Sequence, residues 1–319
     1  MSVAERSALS LRISVTDRCQ LRCGYCMPQE GIECRPRNEI ISFEDIAAIV
    51  RTLENEYTID KIRLTGGEPL LRRNITDLIK MLHAMNMPDL ALTTNGQLLA
   101  EMADELRKAG LQRINVSLDT LDAERYRVLT RGGDLQKTLD GVDAALDAGL
   151  HPVKLNTVMQ SKSVLDEAGA LLKFALERGC ELRFLEIMPI GHAREKHSCG
   201  FVSAEELRQR LADDFSLVLL GRESGSSAVR YRVADEHSGC SGVVGFIAPC
   251  SAPFCADCHR LRLTTDGRLL GCLARGEGIP VRGIIGKPDE LLAKVRQAMG
   301  DKRHDKEFRR PDCMASIGG

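Results

Sequence analysis

Three cysteines near the N-terminus have the spacing of ligands for an iron–sulfur cluster. Cys19, Cys23 and Cys26 form a C-x3-C-x2-C segment directly after a predicted strand, Leu11–Val15. A [4Fe–4S] cluster usually takes four cysteine ligands, so three thiolates without a nearby fourth would leave one iron open to a further ligand. The alternative is a structural zinc site, which needs four ligands and usually contains paired C-x2-C units. The spacing therefore favours a cluster with one open iron.

A glycine-rich segment, Thr65–Pro69 (TGGEP), follows the second predicted strand. Two adjacent glycines allow the backbone to approach a ligand closely. Taken alone, the segment is equally typical of an ordinary strand-to-helix turn. Its position after the second strand, in a chain that already carries the C-x3-C-x2-C segment, favours a role at the same site.

A second set of three cysteines lies near the C-terminus, at Cys255, Cys258 and Cys272. Cys250 precedes this set, so a four-cysteine zinc site can also be drawn, and the spacing alone leaves zinc and iron–sulfur open. Arg260 and Arg262 fall between the cysteines. Guanidinium groups beside a metal site suit an anionic ligand such as a phosphate.

Repeated strand–helix units must position these segments. The strands are predicted at Leu11–Val15, Lys61–Thr65, Leu90–Thr94, Arg113–Leu118, Val153–Met159 and Glu181–Met188. The helices are predicted at Phe43–Leu53, Ile75–Met85, Leu99–Ala109, Leu135–Ala148 and Val164–Arg178. Such alternation predicts a parallel sheet with right-handed crossovers, either open or curled into a barrel, with ligands at the carboxyl ends of the strands. The apolar strands are typical of a sheet covered on both faces.

Helix ends carry recognisable signals. Capping boxes are predicted at Ser42, Ser163 and Ser203, and glycines in left-handed conformation at Gly110, Gly149 and Gly179. After residue 191 the pattern changes to a short helix at Ser203–Leu211, hairpins over 221–248 and a helix at Lys287–Met299.

Two cations interrupt the apolar strands, Arg63 and Lys154. A buried cation costs several kcal/mol unless it is paired. A bound triphosphate or a structural Asp or Glu would each provide the partner.

Composition excludes several classes of protein. The 319 residues carry a net charge of −1, 4% aromatic residues and no Trp, which disfavours a zinc-knuckle module that binds nucleic acid. No run of about 20 apolar residues and no secretory signal is present, so no membrane association is expected. Twelve cysteines without an export signal indicate a cytoplasmic protein that uses some of them as ligands. Isolated ones such as Cys34, Cys180 and Cys199 are expected to be small buried hydrophobes.

The C-x3-C-x2-C segment, with Tyr25 before its last cysteine, and the TGGEP segment resemble those of the radical S-adenosylmethionine superfamily. The second cysteine set with its arginines resembles one subfamily closely, the GTP 3′,8-cyclases (MoaA), which begin molybdenum cofactor biosynthesis. This resemblance extends over nearly the whole chain, from Arg12 to the terminal Gly318-Gly319. Another radical maturase with an auxiliary cluster is the alternative, although such enzymes usually carry more cysteines in the C-terminal region.

The resemblance implies an α/β fold: a partial (β/α)6 TIM-type barrel over 1–195, and an α+β extension over 196–319 that closes the barrel mouth and carries the second cluster and GTP-binding residues. It implies a radical lyase that abstracts hydrogen from ribose C3′ of GTP. The product would be (8S)-3′,8-cyclo-7,8-dihydroguanosine 5′-triphosphate.

The family's site residues carry over onto matching positions of this sequence. One [4Fe–4S] cluster would be held by Cys19, Cys23 and Cys26, and a second by Cys255, Cys258 and Cys272. S-adenosylmethionine would contact Tyr25, Gly67, Ser117 and Met188. GTP would contact Arg12, Arg63, Thr93, Lys154, Arg260, Leu261 and Arg262. Catalytic roles would belong to Arg12, Arg260, Arg262, Gly318 and Gly319, although from the sequence alone the two glycines resemble a frayed tail.

The resemblance also implies an electron donor, which it does not identify, and a downstream pterin-forming enzyme of the MoaC type. No role is assigned to Cys250. The oligomeric state stays open, a homodimer included.

Overall fold

The computed structural model describes residues 6–236, 238–275, 277–302, 308 and 314–317. Within that part of the chain, no helix is long and apolar enough to span a bilayer.

One twelve-stranded sheet organises the molecule, in the order β12-β11-β10-β1-β2-β3-β4-β5-β6-β9-β8-β7. The strands are β1 (Ser7–Ser14), β2 (Tyr57–Thr65), β3 (Leu90–Thr94), β4 (Arg113–Ser117), β5 (Val153–Met159), β6 (Glu181–Glu186), β7 (Ser216–Gly221), β8 (Val229–Ala234), β9 (Ser241–Ile247), β10 (Arg260–Leu263), β11 (Arg268–Leu270) and β12 (Ile279–Pro280). Neighbours from β10 through β1–β6 to β9 are parallel. The predicted parallel α/β architecture is therefore confirmed.

The helices are α1 (Phe43–Leu53), α2 (Ile75–His83), α3 (Leu99–Lys108), α4 (Ala123–Thr130), α5 (Leu135–Asp147), α6 (Val164–Glu177), α7 (Ala193–Gly200), α8 (Ala204–Leu211), α9 (Pro288–Gly300) and α10 (Met314–Ile317). Helices α1–α8 lie between strands β1 and β7 in the chain, and α9 and α10 follow the last strand. The five helices predicted between strands all form, as do the two predicted later in the chain, and α4, α7 and α10 are additional.

Most of the predicted helix ends form as expected. The hydroxyls of Ser42 and Ser203 accept hydrogen bonds from the backbone N–H groups of Asp45 and Glu206. The prediction for Ser163 is wrong: its side chain caps no backbone group and instead contacts the side chains of Ser161 and Arg125. The glycines after α3, α5 and α6 adopt φ values of +103°, +75° and +66°: Gly110, Gly149 and Gly179.

The two faces of the sheet differ in polarity. Leu11, Ile62 and Leu64 are completely buried on the face that packs against helices. Arg12 and Arg63 alternate with them and point to the other face, because successive strand residues point to opposite sides. Inner-face residues such as Ser10, Asn115 and Arg183 are also buried, so these strands are covered on both faces, but the cover of the inner face is polar.

Both edges of the parallel β1–β6 block are extended by the C-terminal part of the chain. β9 pairs with β6, and β10 pairs with β1. The predicted hairpins form as the antiparallel strands β7, β8 and β9. Residues of β1, β2, β4, β5, β6, β8 and β10 line a single cavity, so the sheet curves around its polar face as a partial barrel does.

Candidate functional site

The first cysteine segment forms a loop after β1, at the carboxyl ends of the parallel strands. The loop is attached to the C-terminal end of α4, where the backbone N–H groups of Arg22 and Gly24 donate to the carbonyls of Thr130 and Leu129. Within the loop, the N–H of Cys26 donates to the carbonyl of Cys23 over 2.8 Å. The side chains of Cys19, Cys23 and Cys26 are partly exposed.

The two glycines of the TGGEP segment lie directly against this loop. A Cβ on Gly66 would lie 2.4 Å from the carbonyl oxygen of Thr16, and one on Gly67 would lie 2.4 Å from that of Arg18. The N–H of Gly67 donates to the carbonyl of Thr16 over 2.7 Å, and the N–H of Glu68 donates to that of Arg18 over 2.7 Å. The glycines therefore permit close approach between two backbone segments, one of which leads into Cys19.

Glu68 connects the loop to the end of β3. Its buried carboxylate accepts hydrogen bonds from the hydroxyl of Thr94 at 2.7 Å and from the N–H groups of Asn95 at 2.7 Å and Leu70 at 3.0 Å. The amide of Asn95 in turn donates to Cys19 Sγ over 3.7 Å. Burial raises the pKa of Glu68 to about 7, against the lowering effect of these bonds.

The surroundings of two thiols of the loop, Cys19 and Cys23, favour their protonated form. Burial raises the pKa of Cys19 to about 11 and that of Cys23 to about 12. Iron binding must therefore displace the protons, because the thiolate is the form that binds a metal.

Tyr25 links the loop to β4 and β5. Its hydroxyl hydrogen-bonds the carboxyl group of Asp119, which also accepts from the N–H of Val158 at 2.8 Å and the amide of Gln160 at 2.9 Å. Burial raises the pKa of Asp119 to about 6. Lys196 of α7 donates to Gln160 over 2.9 Å, so the network extends into the C-terminal half of the chain.

A strongly basic cavity of about 180 Å³ occupies the polar side of the sheet. We call it the basic cavity; its charged lining residues are Arg12, Lys61, Arg63, Asp89, Arg113, Lys154, Arg183, Glu223, Arg230 and Arg260. Pro152 and Asp89, which precede β5 and β3, also line it, so it extends from the strand middles toward their amino ends. It thus lies deeper in the barrel than the cysteine loop.

Three arginines occupy neighbouring positions on adjacent strands beside this cavity. Arg12 of β1 is in register with Arg262 of β10 on one side and with Arg63 of β2 on the other. Like charges opposite each other on neighbouring strands destabilise a sheet. Burial, followed by the charges of Arg262 and Arg260, lowers the pKa of Arg12 well below its ordinary value. The row of arginines therefore favours a bound anion.

Carboxylates balance only part of this charge. Glu181 lies 3.0 Å from Lys154 and 2.6 Å from Arg183, and Asp89 contacts Arg113 at 2.5 Å. The sequence left two partners open for Lys154, a triphosphate or a structural carboxylate, and the structure contains the carboxylate of Glu181. Arg63 differs, because its buried Nε has no hydrogen-bond partner among the described residues.

The second cysteine set lines a neighbouring cavity of about 170 Å³. We call it the cysteine cavity; it is lined by Cys255, Cys258 and Cys272 together with Met188, Phe254, Arg262, Lys302 and other side chains. Arg12, Ser227 and Arg260 line both cavities, which therefore adjoin each other. Burial acts to raise the pKa of Cys258, but the charges of Arg260 and Lys302, together with hydrogen bonds from Arg260, lower it below its ordinary value.

Cys250 has a structural role beside the cysteine cavity. Its thiol donates to the carbonyl of Ile187 at 3.5 Å, and its N–H donates to the buried carboxylate of Glu186 at 3.0 Å. Glu186 also accepts from the N–H of Ala204 at 2.9 Å. Through the carboxylate of Glu186, the end of β6, the start of α8 and the loop that precedes Cys255 are joined.

The remaining predicted residues take different positions. Gly67, Ser117 and Met188 lie at or after the carboxyl ends of β2, β4 and β6, on the side of the cysteine loop. Thr93 accepts a hydrogen bond from Asn115 at 3.3 Å. Leu261 is fully buried in the apolar core, so only its backbone faces the site. Gly318 and Gly319 lie outside the described residues.

Several residues of the site were not predicted from the sequence. Lys61, Arg113, Arg183 and Arg230 line the basic cavity. Arg183 gives the same signal as Arg63, a cation within an apolar strand, and could have been found in the same way. Glu68 belongs to the predicted TGGEP segment, but its hydrogen bonds to Thr94 and Asn95 appear only when the ends of β2 and β3 are adjacent. Of the three isolated cysteines expected to be buried, Cys180 is buried, but Cys34 and Cys199 are exposed.

Each of the two cysteine sets offers three thiols, the ligand type that both iron–sulfur clusters and zinc accept. In the part of the chain that the structure describes, no three His, Cys, Asp or Glu side chains are close enough to hold one metal ion.

Comparison with known proteins agrees with this geometry. Residues 13–175 match the Radical SAM superfamily, and residues 180–308 match the family described as Molybdenum Cofactor Synthesis C. Proteins named GTP 3′,8-cyclase are 41% identical in Pelotomaculum thermopropionicum, covering 99% of this chain and 98% of that protein, and 37% identical in Clostridium botulinum, covering 97% of each. The chain belongs to the GTP 3′,8-cyclase family. Membership of the radical SAM superfamily implies one [4Fe–4S] cluster and binding of S-adenosylmethionine.

Solved structures show the same fold outside the GTP 3′,8-cyclase family. A crystal structure of Streptococcus suis SuiB has a TM-score of 0.64 at 16% identity, covering 90% of this chain and 65% of that one. SuiB bound to S-adenosylmethionine has a TM-score of 0.60 at 17% identity, covering 84% and 61%. This chain spans less than two thirds of the length of either structure.

Proposed function

We propose that this protein is a radical S-adenosylmethionine lyase that converts GTP to (8S)-3′,8-cyclo-7,8-dihydroguanosine 5′-triphosphate in molybdenum cofactor biosynthesis. Its relatives over nearly the full chain are named GTP 3′,8-cyclase. The observation that carries the proposal is the row of Arg262, Arg12 and Arg63 across three adjacent strands.

The arginine row and the basic cavity suit a triphosphate. A triphosphate carries several negative charges and many acceptor oxygens, which guanidinium groups bind in pairs. Arg12, Arg63 and Arg260 form no ion pair with a carboxylate within the described ranges, in contrast to Lys154 and Arg183. These three are therefore the residues that we expect to hold the phosphates, with Lys61 beside them.

The loop after β1 would hold the first cluster through Cys19, Cys23 and Cys26. When bound, that cluster and S-adenosylmethionine supply a 5′-deoxyadenosyl radical, which takes a hydrogen atom from ribose C3′. Asn95 orients Cys19, and Tyr25 fixes the loop to Asp119. Gly67, Ser117 and Met188 lie on the strand ends around the loop, where they would contact the cofactor.

The cysteine cavity would hold a second [4Fe–4S] cluster on Cys255, Cys258 and Cys272, with an open iron for the guanine base. The shared lining of the two cavities supports this arrangement, because a nucleotide with its phosphates in the basic cavity can extend its base toward these cysteines. Holding both ends of the nucleotide brings C3′ and C8 together, which is catalysis by orientation.

The N-terminal and C-terminal parts of the chain would have different roles. Residues 1–195 would form the part of the barrel that generates the radical, and residues 196–319 would carry the second cluster and part of the GTP site. Both parts contribute to one sheet. Gly318 and Gly319 would act near the reacting nucleotide. We place the protein in the cytoplasm, where a chain with twelve cysteines can keep them as reduced thiols and metal ligands.

Isotope transfer tests the substrate directly. The anaerobic holoenzyme is incubated with S-adenosylmethionine, a reductant and GTP deuterated at C3′, and 5′-deoxyadenosine is analysed by mass spectrometry. We expect one deuterium per deoxyadenosine and formation of the cyclised nucleotide. Deoxyadenosine that forms equally without GTP, or that carries no deuterium, would exclude C3′ of GTP as the hydrogen donor.

Two variants then test the arginines. Arg260→Ala and Arg262→Ala are expected to keep their iron and lose the product, whereas Arg232→Ala, an exposed arginine of β8, should behave as wild type. Loss of iron in the first two variants would show that these arginines are structural.

A further inference from the structure

The cysteine cavity is assembled from two separate chain segments. Cys255 and Cys258 precede β10, and Cys272 follows β11. Between them, β10 and β11 are joined by only two register pairs, Arg262 with Leu270 and Leu263 with Leu269. A cluster bound by all three thiolates requires both segments to be held at a fixed separation, and the hairpin contributes only these two register pairs between them.

Lys302 contacts both segments with one ammonium group. Its Nζ donates to the carbonyl of Gly271, next to Cys272, over 2.8 Å, and also to the carbonyl of Arg260. The same nitrogen lies 3.8 Å from Cys258 Sγ, within hydrogen-bond range of sulfur. An ammonium group has three N–H donors, and here three acceptors surround it.

Helix α9 fixes the position of Lys302. The helix ends at Gly300, and the N–H of Asp301 donates to the carbonyls of Gln297 and Ala298 at 3.2 Å. Gly271 packs so tightly on this end that a Cβ would lie 1.7 Å from the carbonyl oxygen of Ala298. The backbone of α9 therefore rests directly on the turn that carries Cys272.

We propose that Lys302 is a positioning residue of the second cysteine site, which joins its two segments and donates an N–H···S hydrogen bond to Cys258. This inference rests on the proposed second cluster. Hydrogen bonds to the sulfurs and local charge set the reduction potential of iron–sulfur clusters. A cationic donor at Cys258 stabilises the more negative, reduced cluster, so Lys302 raises the reduction potential.

The test isolates the second cluster in the full-length chain. In a background with Cys19, Cys23 and Cys26 replaced by Ala, the protein is reconstituted anaerobically. Iron content and a redox titration followed by electron paramagnetic resonance are then measured. We expect about four irons per chain in this background. Lys302→Met should lower the iron content and shift the remaining signal to a more negative potential, and Lys302→Arg should restore both. Lys294→Met, which replaces an exposed lysine of helix α9, is the control and should change neither.

The outcomes separate the two ideas. Iron content and potential that are unchanged in Lys302→Met would overturn the role of Lys302 alone. Failure of Lys302→Arg to restore the iron content and the potential would also overturn this role, because the loss in Lys302→Met would then reflect altered packing and not the loss of a cationic donor. A background protein that binds no iron would overturn the second cluster, and the role of Lys302 with it.

Discussion

Replacement of Arg63 by Met should move stability and ligand binding in opposite directions. The Nε of Arg63 is buried without a hydrogen-bond partner among the described residues, and Arg12 lies at the paired position on β1. Removing an unsatisfied buried polar group is worth about 1–3 kcal/mol. For a chain of 319 residues this corresponds to a rise in melting temperature of roughly 2–4 °C. Met retains most of the apolar stem of the side chain.

The same substitution should weaken GTP binding. Truncating one member of a buried, hydrogen-bonded charge pair costs about 2–5 kcal/mol, which is an affinity loss of at least about 30-fold. Anaerobic titration calorimetry with GTP and thermal unfolding without GTP measure the two effects. Arg51→Met, on the exposed face of α1, should change neither. A variant that loses stability yet binds GTP normally would refute the assignment of Arg63 to a ligand and make it a structural cation.

Three further predictions concern the two cysteine sites. Gly67→Ala should lose iron from the first cluster, because the new Cβ would displace the backbone at Arg18. The control Gly286→Ala, which has no atom near its Cβ position, should retain its iron. A normal iron content in Gly67→Ala would contradict the inferred close packing of Gly67 against Arg18. Burial raises the pKa of Glu68 from 4.5 to about 7, so the folded state binds this proton more tightly than the unfolded state does. The stability that the protonated carboxyl group contributes is therefore lost as the pH rises from 4.5 to about 7. Urea unfolding of Glu68→Gln should therefore depend less on pH between about 4.5 and 7 than that of the wild type, and an unchanged slope would exclude Glu68 as the titrating group. Gly271→Ala should displace α9 and halve the iron content while sparing the first cluster, and a full iron complement would show that the helix can shift without disturbing Cys272.

The parallel half of the fold could be predicted well because its signals are local. Strand β3 and strand β5 form with the predicted limits, and Ser42 caps α1 as its sequence context indicates. The prediction for Ser163 failed because a tertiary contact with Arg125 competes for the hydroxyl, and no local pattern reveals such a competitor. The pairing of β10 with β1 is likewise invisible locally, since more than two hundred residues separate Arg12 from Arg262.

The site was predicted unevenly for the same reason. Cysteines and strand cations can be recognised from residue type and spacing, and most of those cations do line the basic cavity. Lys302 lies in a segment without any motif, and its role arises only from contacts made in the folded chain. Leu261 illustrates the converse: it lies inside a recognisable motif, yet strand alternation turns its side chain into the core.

The position of β10 beside β1 has a consequence for the order in which the molecule forms. The first strand to leave the ribosome obtains its outer neighbour only after residue 260 has been synthesised, and β6 likewise waits for β9. Until then both edges of a six-stranded sheet remain exposed, and such edges invite pairing with other chains. Contacts between residues this distant in sequence also form slowly. We expect nascent chains truncated before residue 241 to aggregate or to require a chaperone, and the arginine row to be completed among the last steps of folding.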